Sequence, residues 1–198
     1  GTDHCPGFAS AAKYIATSFM EVSRDSKVYD TGMVTIIECM GRHAGWLTAA
    51  AALANTKGDG PDLIYVPEVD FDMDKFVADV KRIYAEKKNC LVAVSEGIHY
   101  ADGTFVSEAK ASGTDGFGHA QLGGLAARLA DVVKAATGAK VRPIELSLLQ
   151  RCAAHCASKT DVDESYMSGK AAVENAVAGK TDYMPGFKCT RDENGYKC

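Results

Sequence analysis

Arg42 and Glu96 are the side chains in this sequence best suited to hold a polar, anionic small molecule. Arg42 follows Met40 and Gly41, where the β-branched run 33–38 gives way to an alanine-rich stretch that carries Trp46. Glu96 stands between Ser95 and Gly97 at the end of another apolar run, 90–95. A guanidinium is a permanent planar cation matched to phosphate oxygens, and a glycine beside it lets backbone come close to a ligand. Free N–H groups at the start of a following helix would add attraction for an anion. A carboxylate at a neighbouring strand end accepts hydrogen bonds from hydroxyls, so the pair has the make-up of a cradle for a phosphorylated sugar. An ordinary turn with a solvated Arg, and a capping or solvated Glu, fit the same spacing.

Such a cradle needs both strand ends at one rim, and the periodicity supplies elements able to do that. Phe8, Ala12, Ile15 and Phe19 predict a helix closed by 23–26. A strand is expected over 33–38, a helix over 43–58, a strand over 62–66 that Pro67 halts, and an amphipathic helix over 73–88. A third strand, 90–95, leads through a Gly/Ser/Asp-rich loop, 101–118, to a helix over 120–138 with an internal Gly pair; 140–151 reads as a fourth extended segment. Strands alternating with helices predict an α/β, Rossmann-like three-layer domain with a mostly parallel sheet over 1–151, with ligands beyond the carboxyl ends of the strands. After Arg151 the character changes. A helix over 162–178 and a closing hairpin are expected, as a segment 152–198 belonging with a neighbouring domain.

The remaining chemistry-bearing residues are less organised. Glu38, inside an apolar strand, is expected to be structural and paired with a neighbouring donor, and Glu68 ends the second strand. His43 fits a cap or a surface residue, and the other histidines are scattered, so no nucleophile constellation is expected. Seven cysteines rule out a complete disulfide framework within one chain, and reduced, partly buried thiols of a cytoplasmic protein are expected. Cys152, His155 and Cys156 raise a metal site, but no second ligand pair follows at zinc spacing.

Composition narrows the classes further. The chain has 198 residues, is 46% hydrophobic, and can bury a sizeable core. A net charge of -4 without Lys/Arg runs argues against nucleic acid as a partner, and no apolar run approaches membrane-spanning length. The opening on Gly-Thr-Asp and the close on NGYKC read as a piece of a longer chain.

Taken in order, GTDHCPGFASAAKYIA, IIECMGRHAGWLTAAAALA, LIYVPEV, VAVSEGI and LQRCAAHCASKTDVDES resemble the phosphofructokinase family over nearly the whole chain. Met-Gly-Arg followed by a Gly-Trp helix is the most specific block. The resemblance implies phosphoryl transfer to the 1-hydroxyl of fructose 6-phosphate in glycolysis, by a cytoplasmic homo-oligomer with magnesium on the donor. It implies that Met40, Gly41, Arg42 and Glu96 grip the sugar phosphate, with Arg142 and Arg151 on its 6-phosphate. The family's catalytic Asp, its phosphate loops and its magnesium site would lie ahead of Gly1. No catalytic residue and no metal ligand is therefore expected here, and 152–198 would pack on the absent N-terminal part. Leu148 stands where ATP-using members carry His, and Met33 where they carry an Arg that reaches a neighbouring subunit. LQRCAAHCASKTDVDES in place of a glycine-rich turn resembles the pyrophosphate-dependent branch. A non-catalytic sugar-phosphate-binding or assembly subunit of the same fold is the alternative.

Overall fold

The computed structural model describes residues 4–107, 124–193 and 195–198. Helix α1 (Phe8–Ser26) leads into strand β1 (Met33–Cys39), every residue of which is buried. Helix α2 (Trp46–Ala50) runs into a 3₁₀ segment, Ala51–Lys57, before β2 (Leu63–Tyr65), α3 (Met73–Lys87) and β3 (Asn89–Ser95). Beyond the undescribed stretch come α4 (Leu125–Thr137), β4 (Val141–Glu145), α5 (Leu149–Cys152) and α6 (Lys159–Val177), then β5 (Thr190–Asp192) and β6 (Gly195–Lys197).

Strand order is β2-β3-β1-β4 and every pairing is parallel, so all four carboxyl ends share one rim. Period-two alternation divides the central strands between two cores. Val34 and Ile36, with Cys90, Val92 and Val94, pack on Phe76, Val80 and Ile83 of α3 and Leu129 and Val133 of α4. Ile37 and Cys39, with Leu91 and Ala93, face Ile15 and Phe19 of α1 and Ala51 and Ala54 of the 3₁₀ segment. Helices thus cover both faces. Burying a side chain such as Phe19 or Phe76 contributes about 1.5–3 kcal/mol, so the two cores hold the rim firmly.

Several expected boundaries move, each for a local reason. The helix over 43–58 is α only at Trp46–Ala50. Ala51 and Ala54, both wholly buried, stand three residues apart, the spacing that a 3₁₀ helix brings onto one face. The extended segment over 140–151 stops at Glu145; Ser147, at φ 43°, turns the chain into α5. Gly124 precedes α4 rather than lying inside it, and the first part of that expected helix, like most of the 101–118 loop, falls outside the described residues.

After α5 the chain crosses back over α1. Asp161 near the start of α6 accepts the Gly7 and Ser10 N–H groups and the Ser10 hydroxyl at 2.6–2.9 Å, so its carboxylate caps α1. The outer side of α6 leaves Val162, Tyr166, Val173 and Val177 exposed. Strands β5 and β6 pair with each other in a separate two-stranded sheet. Pairing of Thr190 with Lys197 brings Cys189 and Cys198 together, and they form a disulfide. Reduced thiols throughout were therefore the wrong expectation; Cys39, Cys90 and Cys156 are unbridged and buried. Among the described residues, no helix is long and apolar enough to cross a membrane.

Candidate sugar-phosphate site

The Met40-Gly41-Arg42 turn and the Ser95-Glu96-Gly97 turn leave adjacent parallel strands and interlock. Glu96 N–H donates to the Cys39 carbonyl at 3.0 Å, Gly97 N–H to the Gly41 carbonyl at 3.2 Å, and Ser95 Oγ to the same carbonyl at 2.5 Å. Glu96 Oε1 in turn accepts the Gly41 N–H at 3.1 Å. Both glycines are steric requirements. Gly41 has φ 144°, and a Cβ there would lie 2.5 Å from the Ala44 carbonyl oxygen; a Cβ on Gly97 would lie 1.9 Å from the Arg42 carbonyl oxygen. Arg42 and Glu96, both half-buried, therefore emerge at one rim.

Three main-chain donors of this junction are already engaged. Met40 N–H donates to Gln150 Oε1 at 3.2 Å, Gly41 N–H to Glu96, and Gly45 N–H to Glu68 Oε1 at 2.8 Å. A buried or half-buried N–H must be satisfied by something, and here three side chains do it. The turn is pre-shaped by them. Gln150 is 2% exposed and also donates to the Ser147 carbonyl, so it clamps α5 to the Met40 turn. Sequence reasoning missed that role, and only the place of Gln150 next to Arg151 in the Leu-Gln-Arg triplet marked it.

Arg151 is exposed on α5 and lines, with Met40, Gln150, Leu47 and Asp161, a cleft of about 830 Å³ between α1, α5 and α6. Arg42 and Glu96 are not in its lining; Met40 and Gln150 join the cleft to the rim. Arg142 is not brought to this group. It pairs across from Thr35, three residues before the end of β4 and about 10 Å below the rim, with Nη1 3.4 Å from Asp25 of α1.

Glu38 is 2% exposed, and its Oε2 accepts the Ala126 N–H at 2.8 Å, which settles the first turn of α4. Burial pushes its carboxyl up to about 7, against the Ala126 and Leu125 N–H groups, with Glu145 and Glu96 adding repulsion. Burial likewise pushes the Cys39 and Cys90 thiols up to about 12, so neither is a nucleophile at neutral pH. His43 is exposed, its ring centroid 6.1 Å from that of Phe105. Cys152 is exposed, Cys156 buried, and His155 stands edge-on to Tyr14, so the sequence's candidate metal trio does not assemble. Among the described residues, those that could share an ion are His4, Cys189 and Cys198. Cys189 and Cys198 are bridged, and neither sulfur nor imidazole suits magnesium, which takes oxygen ligands, so these residues do not fit it.

The family model described as phosphofructokinase matches residues 1–176. The chain belongs to the phosphofructokinase family. It is 47% identical over 195 residues to a pyrophosphate--fructose 6-phosphate 1-phosphotransferase of Halomonas elongata, covering 97% of this chain and 46% of that protein. A protein of the same name from Xanthomonas campestris is 48% identical over 194 residues, covering 96% of this chain and 46% of that protein. Among solved structures, the pyrophosphate-dependent phosphofructokinase of Marinobacter aquaeolei superposes with a TM-score of 0.73 at 40% identity, covering 99% of this chain and 45% of that one. The chain thus spans less than half the length of these three relatives.

Proposed function

We propose that this chain is the acceptor-sugar part of a pyrophosphate-dependent phosphofructokinase. The whole protein would move a phosphoryl group from pyrophosphate to the 1-hydroxyl of fructose 6-phosphate, giving the 1,6-bisphosphate in cytoplasmic glycolysis. The reading is supported by one observation: the turns that carry Arg42 and Glu96 interlock at the carboxyl rim of a parallel sheet. A cation and a carboxylate so placed complement a ligand with an anionic group and several hydroxyls. Met40, Gly41, Arg42 and Glu96 bind the sugar phosphate, and Arg151 adds a second guanidinium from the adjoining cleft. Arg142, on an edge strand and below the rim, fits the 6-phosphate of a site completed between two copies of a homo-oligomer.

Residues 1–151 form the sugar-binding domain, and 152–198 pack on the part of the protein that lies beyond this chain. The apolar outer side of α6 supports that division. Magnesium accompanies the donor, held by groups outside this chain. Phosphoryl transfer relies on positioning and on charge stabilisation at the transferred group. Arg42 supplies one cation but neither base nor donor site, so the 198-residue chain alone turns nothing over.

Assaying the longer protein with pyrophosphate and with ATP tests the reading. Turnover of fructose 6-phosphate with pyrophosphate, and little with ATP, is expected. A folded protein that binds fructose 6-phosphate but is inactive with both donors would instead favour the non-catalytic subunit.

A further inference from the structure

A second cluster of chemistry-bearing side chains lies where the beginning of the chain meets its end, apart from the residues of the rim. His4 precedes α1, while Cys189 and Cys198 flank the β5–β6 hairpin. One ligand atom from each of the three lies within 4.8 Å of the other two. Glu164 of α6 meets His4 Nε2 at 2.5 Å. The Tyr196 hydroxyl donates to Glu164 Oε1 at 2.6 Å and lies 3.5 Å from Cys189 Sγ. Phe187 stands edge-on to the imidazole with ring centroids 5.5 Å apart.

We propose that His4, Cys189 and Cys198 form a zinc site once the Cys189–Cys198 bridge is opened. Two thiolates and an imidazole select a borderline-soft ion over magnesium or calcium. Zinc holds sulfur at about 2.3 Å and nitrogen at about 2.0 Å, which sets ligand atoms roughly 3.3–3.8 Å apart in a tetrahedron. A group already gathered within 4.8 Å reaches that geometry by small side-chain rotations. Glu164 and the Tyr196 hydroxyl hold His4 Nε2, so the ion takes Nδ1, and the carboxylate then stands behind a metal-bound imidazole, fixing the ring and making it more basic. Three protein ligands leave the fourth position to water.

The chemistry balances with a dithiol as reductant. The dithiol gives two electrons and two protons, the S–S bond becomes two thiols, and the reductant closes to its own disulfide. Zinc then displaces the two thiol protons to solvent and binds both sulfurs as thiolates. Bridge and ion compete for the same sulfurs. The ion additionally captures His4, tying the residues ahead of α1 to the hairpin at the far end of the sequence.

The test uses the 198-residue chain carrying Cys5→Ser and Cys152→Ser, which removes the two exposed unbridged thiols. After reduction by dithiothreitol and desalting under argon, the chain is titrated with Co2+ as the spectroscopic probe and then with Zn2+. One equivalent of cobalt should produce thiolate-to-cobalt charge-transfer absorption, and one equivalent of zinc should abolish it. His4→Ala should weaken zinc binding by about tenfold or more, as loss of a ligand requires. Cys189→Ser with Cys198→Ser should remove the absorption. The proposal is overturned by an absent band in a chain whose thiol count shows the bridge open. It is equally overturned by a band that survives loss of both cysteines, or by zinc affinity unchanged in His4→Ala.

Discussion

Glu96 Oε1 accepts the Gly41 N–H at 3.1 Å, so the acid proposed to meet a sugar's hydroxyls also holds the turn that carries Arg42. Substitution at position 96 therefore changes two things at once, the ligand contact and the shape of the turn. The amide of glutamine keeps an acceptor for Gly41 while losing the charge, which allows the two effects to be separated.

In the longer protein, Arg42→Ala is predicted to raise the fructose 6-phosphate KM roughly 10–100-fold, the loss of a hydrogen-bonded charge. Glu96→Ala should raise it too and also lower the urea midpoint, whereas Glu96→Gln should leave the midpoint unchanged. Steady-state kinetics beside urea melts decide the matter. Normal saturation in both alanine variants would remove the rim from the substrate site.

Gly97→Ala places a methyl 1.9 Å from a backbone oxygen, which cannot rotate away as a side chain would. We predict a stability loss of about 1–3 kcal/mol, the usual range for overpacking, read from urea unfolding of this chain. An unchanged midpoint would mean that the two turns do not interlock as described.

Stability should fall as pH rises through the range in which Glu38 ionises. Burial holds the folded-state value at about 7 against 4.5 for the unconstrained group, so between these values the folded chain binds more protons than the unfolded one. The contribution is complete below the lower value, declines above it, and is gone beyond the upper one; its full size is on the order of 3 kcal/mol. Glu38→Gln keeps an acceptor for Ala126 and should remove this component of the slope. Urea midpoints across the range, compared between parent and variant, test it, and parallel curves would refute the assignment.

Val177 is 84% exposed on α6, so Val177→Asp should change the stability of this chain by no more than about 0.5 kcal/mol. In the longer protein the same change should lower the melting temperature, because there the residue is proposed to be covered. Equal tolerance in both would show that this side of α6 stays in solvent.

The layered α/β architecture was legible because it is written in short periods. Val34 and Ile36 alternate with Ile37 and Cys39 within one strand, and Phe76, Val80 and Ile83 repeat within one helix, so neighbours along the chain reveal which faces are apolar. Met40, Gly41, Arg42 and Glu96 were legible as strand-end residues for the same reason. The 3₁₀ segment was not, because alanine is compatible with either helix and packing against α1 makes the choice.

The sequence by itself determined the alternation of strands and helices, the residues that stand at the strand ends, and the resemblance to one family. Tertiary structure decided which groups meet. It gave the Met40 N–H to Gln150, 110 residues away, placed Arg142 below the rim, and joined Cys189 to Cys198 beside His4. Periodicity is a property of residues a few positions apart, whereas these partnerships depend on how rigid layers stack. No local pattern encodes that stacking.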